Sequence, residues 1–312
     1  MDIKTNVTTL NATSKAGGVS VTEDDGLAVG ATGISAANAA AITLTKGALT
    51  SVGGVIAGDS LSIKLLQAQV NAADNTIDVD TTANRISAST AGGAITIRNT
   101  KSFSIDAAGI TAGAAANKNV SLTAVGAITN GTTAPNATNG LAIAGGTIKA
   151  ASLSLSATTG IAVNTDVTTV SSATSAAGNI ALAQSVTGGK RLTLQTVQAL
   201  DGGVFVTNND RITIGGVGGV AGSIQAVGSG RNVLLNAGGV NKKIDFAVDG
   251  STITATGDSV TLLSTGGIYG TRSLNAANAG TDIVAGTTVL TRSEEHTSEL
   301  QSRVDISYAV FC

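Results

Sequence analysis

Apolar residues alternate with small polar residues over many short segments of the chain. The alternation is clearest in segments 19–21, 42–44, 61–63, 95–97, 120–122, 141–143, 153–155, 180–182, 192–194, 212–214 and 260–262. A period of two predicts β-strands with one buried and one exposed face, and the many Val, Ile and Thr residues favour the same conformation. Glycine pairs such as Gly53-Gly54 and Gly92-Gly93 separate the segments and supply turns. The pattern therefore predicts an all-β fold.

The alternating segments are organised into a long repeat. Stretches that begin near Ile3, Ile77, Ile161 and Ile244 each contain a strand led by isoleucine, a middle rich in Thr, Ser and Ala, and a turn followed by an apolar-polar-apolar triplet. Repetition over such a distance is typical of repeat architectures, in which neighbouring units share one core. We therefore expect a single repeat region over residues 1–291.

Three all-β architectures are compatible with short strands, and the scarcity of aromatic residues separates them. Aromatic residues form 2% of the chain, whereas sandwiches and barrels use aromatic core filling and propellers carry an aromatic signature in each blade. A parallel β-solenoid requires neither. With roughly 20 residues per coil and strands about 4.8 Å apart, it would be a rod of about 70 Å. Outward hydroxyls are predicted to form ladders at Ser20, Thr43, Ser62, Thr96, Ser121, Ser154 and Thr193.

Residues 292–312 break abruptly from this composition. The blocks RSEEHTSELQS and ISYAVFC resemble the in-frame translation of a sequencing adapter, with the residues from Arg303 to Asp305 in the place of an index barcode. The alternative is a natural helical tail that Ser293 would cap. We expect an artefactual tail, disordered or briefly helical, that does not belong to the fold.

Setting the tail aside removes most of the reactive chemistry from the chain. His296 and Cys312 are the only histidine and the only cysteine, and the tail holds four of the 20 acidic and two of the 18 basic residues, which leaves 16 of each. A neutral body has no basic field to attract nucleic acid. Without histidine or cysteine it offers neither a nucleophilic triad nor nitrogen or sulfur metal ligands. Its apolar runs are too short to span a membrane, and no signal peptide is apparent.

Two acidic groups are the remaining candidates for chemistry. Asp78 and Asp80 lie two residues apart on a predicted strand, so their carboxylates point to one face, as in a solenoid that hydrolyses or cleaves polysaccharide. The segment Glu23-Asp24-Asp25 at a predicted turn could bind calcium through oxygen ligands. The alternative is that both groups are solvated acids on outer faces and turns, and we favour it.

Two glycine-rich segments match nucleotide-binding patterns in a formal sense. The run from Gly216 to Ala221 fits the dinucleotide fingerprint, but Gly222-Ser223-Ile224-Gln225 follows it and predicts no helix. The run from Gly188 to Arg191 fails as a phosphate loop because Arg191 stands where Ser or Thr would coordinate magnesium. Both are interpreted as loops. We therefore assign no catalytic, cofactor-binding or metal-binding residue, and no cofactor.

The phrase VTTLNATSKAGGVSVTEDDGLAVGATGI over residues 7–34, echoed by VTTVSSATSAAGNIALAQSV over residues 167–186, resembles the repeat region of filamentous-haemagglutinin-like adhesins of Gram-negative bacteria. The resemblance implies a right-handed parallel β-helix that is exported through an outer-membrane pore and mediates attachment. It also implies a secreted or cell-surface location, with host or cell-surface ligands and neighbouring repeats of the same polypeptide as partners. The amino-terminal secretion domain and carboxy-terminal effector of such proteins are not evident in this sequence.

These observations predict a non-catalytic stalk segment of a large secreted or surface-anchored adhesin-like protein. Two alternatives remain open. One is a free-standing β-helix that binds or acts on polysaccharide. The other is a solenoid that binds ice or another surface through rows of hydroxyls such as Thr43, Thr96 and Thr193.

Overall fold

The computed structural model describes residues 1–67, 75–113, 118–130, 145–184, 186, 189–216, 218–228, 230–270 and 282–292. The described residues form two compact units, the first holding residues 1–130 and 145–157 and the second residues 158–292. Within these ranges there are 25 β-strands and no α-helix. The prediction of an all-β fold is therefore confirmed. The candidate tail from Ser293 onward and the predicted strand 141–143 lie outside the described residues.

The strands are short and follow one another through tight turns. The first unit contains β1 (Asp2–Thr5), β2 (Thr9–Ser14), β3 (Val19–Glu23), β4 (Leu27–Ala36), β5 (Ala39–Leu44), β6 (Leu49–Ala57), β7 (Ser60–Leu65), β8 (Ile77–Thr81), β9 (Arg85–Thr90), β10 (Ile95–Asn99), β11 (Phe103–Ala112), β12 (Asn119–Ala124), β13 (Ile128–Asn130) and β14 (Thr147–Ala157). The second unit contains β15 (Ile161–Ser175), β16 (Ile180–Gln184), β17 (Leu192–Ala199), β18 (Val204–Asn208), β19 (Ile212–Ile214), β20 (Ser223–Ala226), β21 (Val233–Ala237), β22 (Lys243–Phe246), β23 (Thr252–Ser264), β24 (Gly267–Gly270) and β25 (Ile283–Arg292). The four stretches in which the sequence repeats begin at β1, β8, β15 and β22.

The strands pair in parallel, and most do so with strands two positions away in the chain. Val19 of β3 lies opposite Ala40 of β5, and Ala40 lies opposite Leu61 of β7. In the second unit, Ile180 of β16 lies opposite Val204 of β18, which in turn lies opposite Val233 of β21. We call each strand in such a series a rung. Parallel rungs in constant register place equivalent side chains directly above one another.

The inward positions of the rungs form continuous aliphatic columns. One column in the first unit runs through Ile3, Val21, Ile42, Ile63, Ala88, Ile110 and Ile148. In every predicted segment that the structure describes, the two apolar residues are at most 2% exposed, and the residue between them points outward. The strand phase read from the alternation is therefore correct, because only one phase buries the branched aliphatic side chains.

Longer strands bend where two rungs approach closely. The register shifts between β2 and β4, where the Oδ1 atom of Asn11 accepts hydrogen bonds from the backbone N–H groups of Thr32 and Gly33, each at 3.1 Å, and it shifts again between β6 and β8. A Cβ atom on Gly54 would overlap the carbonyl oxygen of Gly30. Glycine is required at this bend because no side chain fits between the two backbones.

Candidate functional surfaces

The acidic pair predicted on β8 lies on an outer face, as expected, and an arginine bridges it. Ile77 and Val79 point inward and are buried, whereas Asp78 and Asp80 point outward. Arg98 occupies the next rung opposite Asp80. Its Nη1 atom lies 2.7 Å from Asp78 Oδ1, and its Nε atom lies 2.6 Å from Asp80 Oδ1.

Arg98 determines how the two carboxyl groups of the pair are used, because it bridges both of them. Hydrogen bonding to Asp80 and, to a smaller extent, to Asp78 raises the pKa of the Arg98 guanidinium, so the arginine keeps its positive charge beside the two carboxyl groups. Retaining and inverting hydrolases need one protonated carboxyl beside one carboxylate, with space for a sugar between them. Here the guanidinium occupies that space. The arrangement is an ion-pair network between neighbouring rungs, and such exposed networks stabilise a fold only modestly.

The predicted acidic turn at residues 23–25 proves to be two different environments. Glu23 is the last residue of β3 and points inward, where it is fully buried. Its Oε2 atom accepts a hydrogen bond from the N–H of Val7 at 3.2 Å, and its Oε1 atom accepts one from the N–H of Asp24 at 3.1 Å. The expectation that Glu23 lies in a turn with Asp24 and Asp25 is wrong, because its oxygens serve the backbone inside the fold. Within the described ranges, no three His, Cys, Asp or Glu side chains cluster as metal ligands would.

The inward position of Glu23 belongs to a wider pattern that the sequence reading missed. The third inward residue of many rungs is polar and ties down the following turn. Asn99 donates from Nδ2 to the carbonyl oxygens of Ala83 and Lys101 at 3.1 and 2.9 Å, and Asn208 donates to those of Lys190 and Arg211 at 2.9 Å each. The sequence signal for this pattern is a polar residue two positions after the second inward aliphatic residue of a strand. Burial without such hydrogen bonds would be costly.

The glycine-rich segments behave as loops wherever the structure describes them. Ser223, which follows the candidate dinucleotide fingerprint, begins strand β20. A pyrophosphate site of that class requires a helix N-terminus at this point. Val217 and Gly188, which belong to the two candidate motifs, lie outside the described residues. The interpretation of the first segment as a loop therefore agrees with the structure.

The predicted hydroxyl ladders exist in part. Thr96, Ser121 and Ser154 lie opposite one another on three successive rungs and point outward. Ser20 and Ser62 share a column that Ala41 interrupts between them. Thr193 lies between Thr169 and Thr213 on the neighbouring rungs, so its ladder is formed as predicted, but the side chain is only 6% exposed. Alternation predicts the direction of a side chain but not how far the side chain is exposed.

A second outward column in the first unit mixes hydroxyls with lysines. Lys4, Lys64 and Lys149 are exposed, and two hydroxyl residues separate each lysine from the next along the ladder. Rungs are about 4.8 Å apart, so the ammonium groups recur about every 14 Å. Spacing of that size keeps like charges apart while leaving the face soluble.

Oppositely charged side chains meet between rungs at one corner of the second unit. Lys190 Nζ lies 3.0 Å from Asp166 Oδ1, and Lys242 Nζ lies 3.1 Å from Asp210 Oδ1. Burial alone would raise the pKa of Asp210, but the N–H of Arg211 and the ammonium of Lys242 outweigh it and hold the pKa below its usual value. The corner therefore depends on an ionised Asp210.

No protein-family model, curated protein or solved structure matches this chain. The resemblance of residues 7–34 and 167–186 to adhesin repeats therefore stays a prediction. Among the described residues, the structure contains no helix long and apolar enough to cross a membrane. What the surfaces can bind has to follow from their own chemistry.

Proposed function

We propose that this chain is a right-handed parallel β-helix and serves as a stalk segment of a large secreted or cell-surface bacterial adhesin-like protein. The observation that carries the proposal is the parallel stacking of inward aliphatic residues in columns, of which the column over seven rungs from Ile3 to Ile148 is the clearest. Rungs that repeat in this way add length without adding a new core. Reach is the property that such an arrangement supplies most directly.

The right-handed sense rests on strand twist. Connections between parallel strands of one sheet are right-handed in nearly all proteins, because twisted strands return over the sheet more easily in that sense. The strand pairs described above are parallel in both units, as in Val19–Ala40 and Ile180–Val204. The assignment to an adhesin-like protein rests on the resemblance of residues 7–34 and 167–186.

The first rungs are able to receive a further rung. Ile3 of β1 and Leu10 of β2 point inward but are only half-buried, whereas Val21 and Val29 on the next rungs are at most 1% exposed. Among the described residues, β1 pairs with β3 and β2 pairs with β4 on one edge, and the backbone groups on the other edge of each strand provide a matching surface. Another rung of the same kind would complete the burial of both side chains.

Two measurements test the proposal. A crystal structure of the chain should show coils of parallel strands that wind in the right-handed sense, and left-handed coils would contradict the proposed β-helix. Long-read sequencing of the locus should show an open frame that continues upstream of Met1 and beyond Thr291, with a secretion domain ahead and no RSEEHTSELQS. A genomic start at Met1 together with a genomic tail would contradict the stalk assignment.

A further inference from the structure

The second unit carries an outer face whose two central columns contain no charged residue. The first column runs through Ser172, Thr196, Ser223 and Thr252, which lie opposite one another on successive rungs of β15, β17, β20 and β23. All four are half-buried. The inward residues that alternate with them are at most 2% exposed, so the hydroxyls point away from the core.

The second column lies two residues further along the same strands. It runs through Thr174, Gln198, Gln225 and Thr254. Gln198 Nε2 donates a hydrogen bond to Gln225 Oε1 at 2.7 Å, which holds the two amides in line along the ladder. A carboxamide has two N–H donors and an acceptor oxygen, so this pair retains capacity for further hydrogen bonds. We call the two columns together the neutral lattice.

A row of aliphatic side chains borders the lattice. Leu200 and Val227 follow Gln198 and Gln225 by two residues and are 50% and 44% exposed. The backbone N–H of Leu200 donates to the carbonyl oxygen of Ser175 at 2.9 Å, and the N–H of Val227 donates to that of Ala199 at the same distance. The two residues therefore occupy equivalent places on adjacent rungs. The face therefore offers hydrogen-bonding groups in its centre and apolar contact along one edge.

The geometry points to an uncharged linear polysaccharide as the partner, and we propose that the neutral lattice binds one. Rungs are about 4.8 Å apart and the two columns about 7 Å apart, so the lattice extends for about 14 Å along the ladder. A sugar polymer presents hydroxyl groups at regular intervals on its edges and C–H groups on its ring faces. The hydroxyls fit the central columns, and the ring faces fit Leu200 and Val227.

Other partners fit the lattice less well. Nucleic acids and sulfated or carboxylated polymers are bound through cations, and none of the lattice residues is charged. Protein interfaces have an apolar centre and a polar rim, which is the reverse of this face. Each hydrogen bond contributes little in water, so affinity must come from several rungs acting together. The proposal does not depend on the stalk function, since a free-standing protein would carry the same face.

The experiment uses the full chain with microcrystalline cellulose, chitin and a soluble neutral β-glucan hexasaccharide and disaccharide. Pull-down should show binding to at least one of the two insoluble polymers. Isothermal titration should show that the β-glucan hexasaccharide binds at least tenfold tighter than the disaccharide. T196D/S223D, which places charge in the lattice, should weaken binding at least tenfold while circular dichroism and Tm report an intact fold. S121D/S154D, a matched change on an outward hydroxyl column of the first unit, should leave binding within twofold.

Several results would overturn the proposal. If the wild-type protein binds none of these probes, the neutral lattice is not a polysaccharide-binding site. Equal affinity for the hexasaccharide and the disaccharide removes the role of the repeated rungs. Binding that survives T196D/S223D, or that S121D/S154D abolishes equally, places the contact elsewhere. None of these results bears on the crystallographic or sequencing tests of the stalk, so the two proposals fail separately.

Discussion

The strand phase can be tested at two adjacent residues of β10. Ile95 points inward, is 0% exposed and lies between Ile77 and Val120 on the neighbouring rungs. Thr96 points outward and lies between Asp78 and Ser121. Placing aspartate at each position in turn applies the same chemical group to the two faces of one strand. We expect Ile95→Asp to unfold its part of the first unit and Thr96→Asp to be tolerated.

The expected magnitudes differ widely. Losing the buried side chain of Ile95 costs about 2–5 kcal/mol, as in isoleucine-to-alanine replacements in other cores. Burying a carboxyl group without a partner adds about 2 kcal/mol or more. The sum is comparable with the whole stability of a typical domain, about 5–15 kcal/mol. Thr96→Asp keeps its group in solvent near both Asp78 and Arg98, so its effect should be about 1 kcal/mol or less.

Urea unfolding followed by circular dichroism measures both variants, and Ile95→Ala provides a milder form in case Ile95→Asp does not fold. Hydrogen exchange shows which strands are destabilised. The effect should be local, because the stability of each rung in a repeat protein depends mainly on its neighbours. Ile95→Ala should accelerate exchange in β8, β10 and β12 more than in the strands of the second unit. Equal destabilisation by Ile95→Asp and Thr96→Asp would refute the strand phase, and uniform exchange across both units would refute local coupling.

Three further predictions follow from the same geometry. Gly54→Ala should lower stability by about 1–3 kcal/mol, because the new Cβ overlaps the carbonyl of Gly30, whereas Gly238→Ala, whose nearest contact is 3.6 Å, should be nearly neutral in the same urea assay. Because the pKa of Asp210 is depressed in the folded protein, its ionised form contributes stability above the unfolded pKa of about 3.9, and this stability is lost as the pH falls through the folded value. Asp210→Asn should therefore flatten the decline of Tm on acidification. An unchanged decline would contradict the role given to the ionised Asp210. A fragment of residues 2–291 should associate through exposed strand edges in analytical ultracentrifugation, and a monomer at all concentrations would contradict this expectation.

The sequence by itself determined the class of structure and the inward set of residues. Alternation with a period of two identifies Ile95 and Ile97 as buried and Thr96 as outward without any structure, because a strand has only two faces. The scarcity of aromatic residues likewise pointed to a narrow aliphatic core. Such conclusions depend on local geometry, which neighbouring residues in the chain already specify.

Only the tertiary structure decided which outward residues meet. Arg98 is 18 residues from Asp80 in the chain, and no local pattern pairs them. The low exposure of Thr193, the inward carboxylate of Glu23 and the neutral lattice also depend on register between rungs. Register joins residues across turns of different length, so small changes in each turn decide which side chains become neighbours. Alternation specifies the face of a side chain, but the partner on that face comes from the long-range stacking of the rungs.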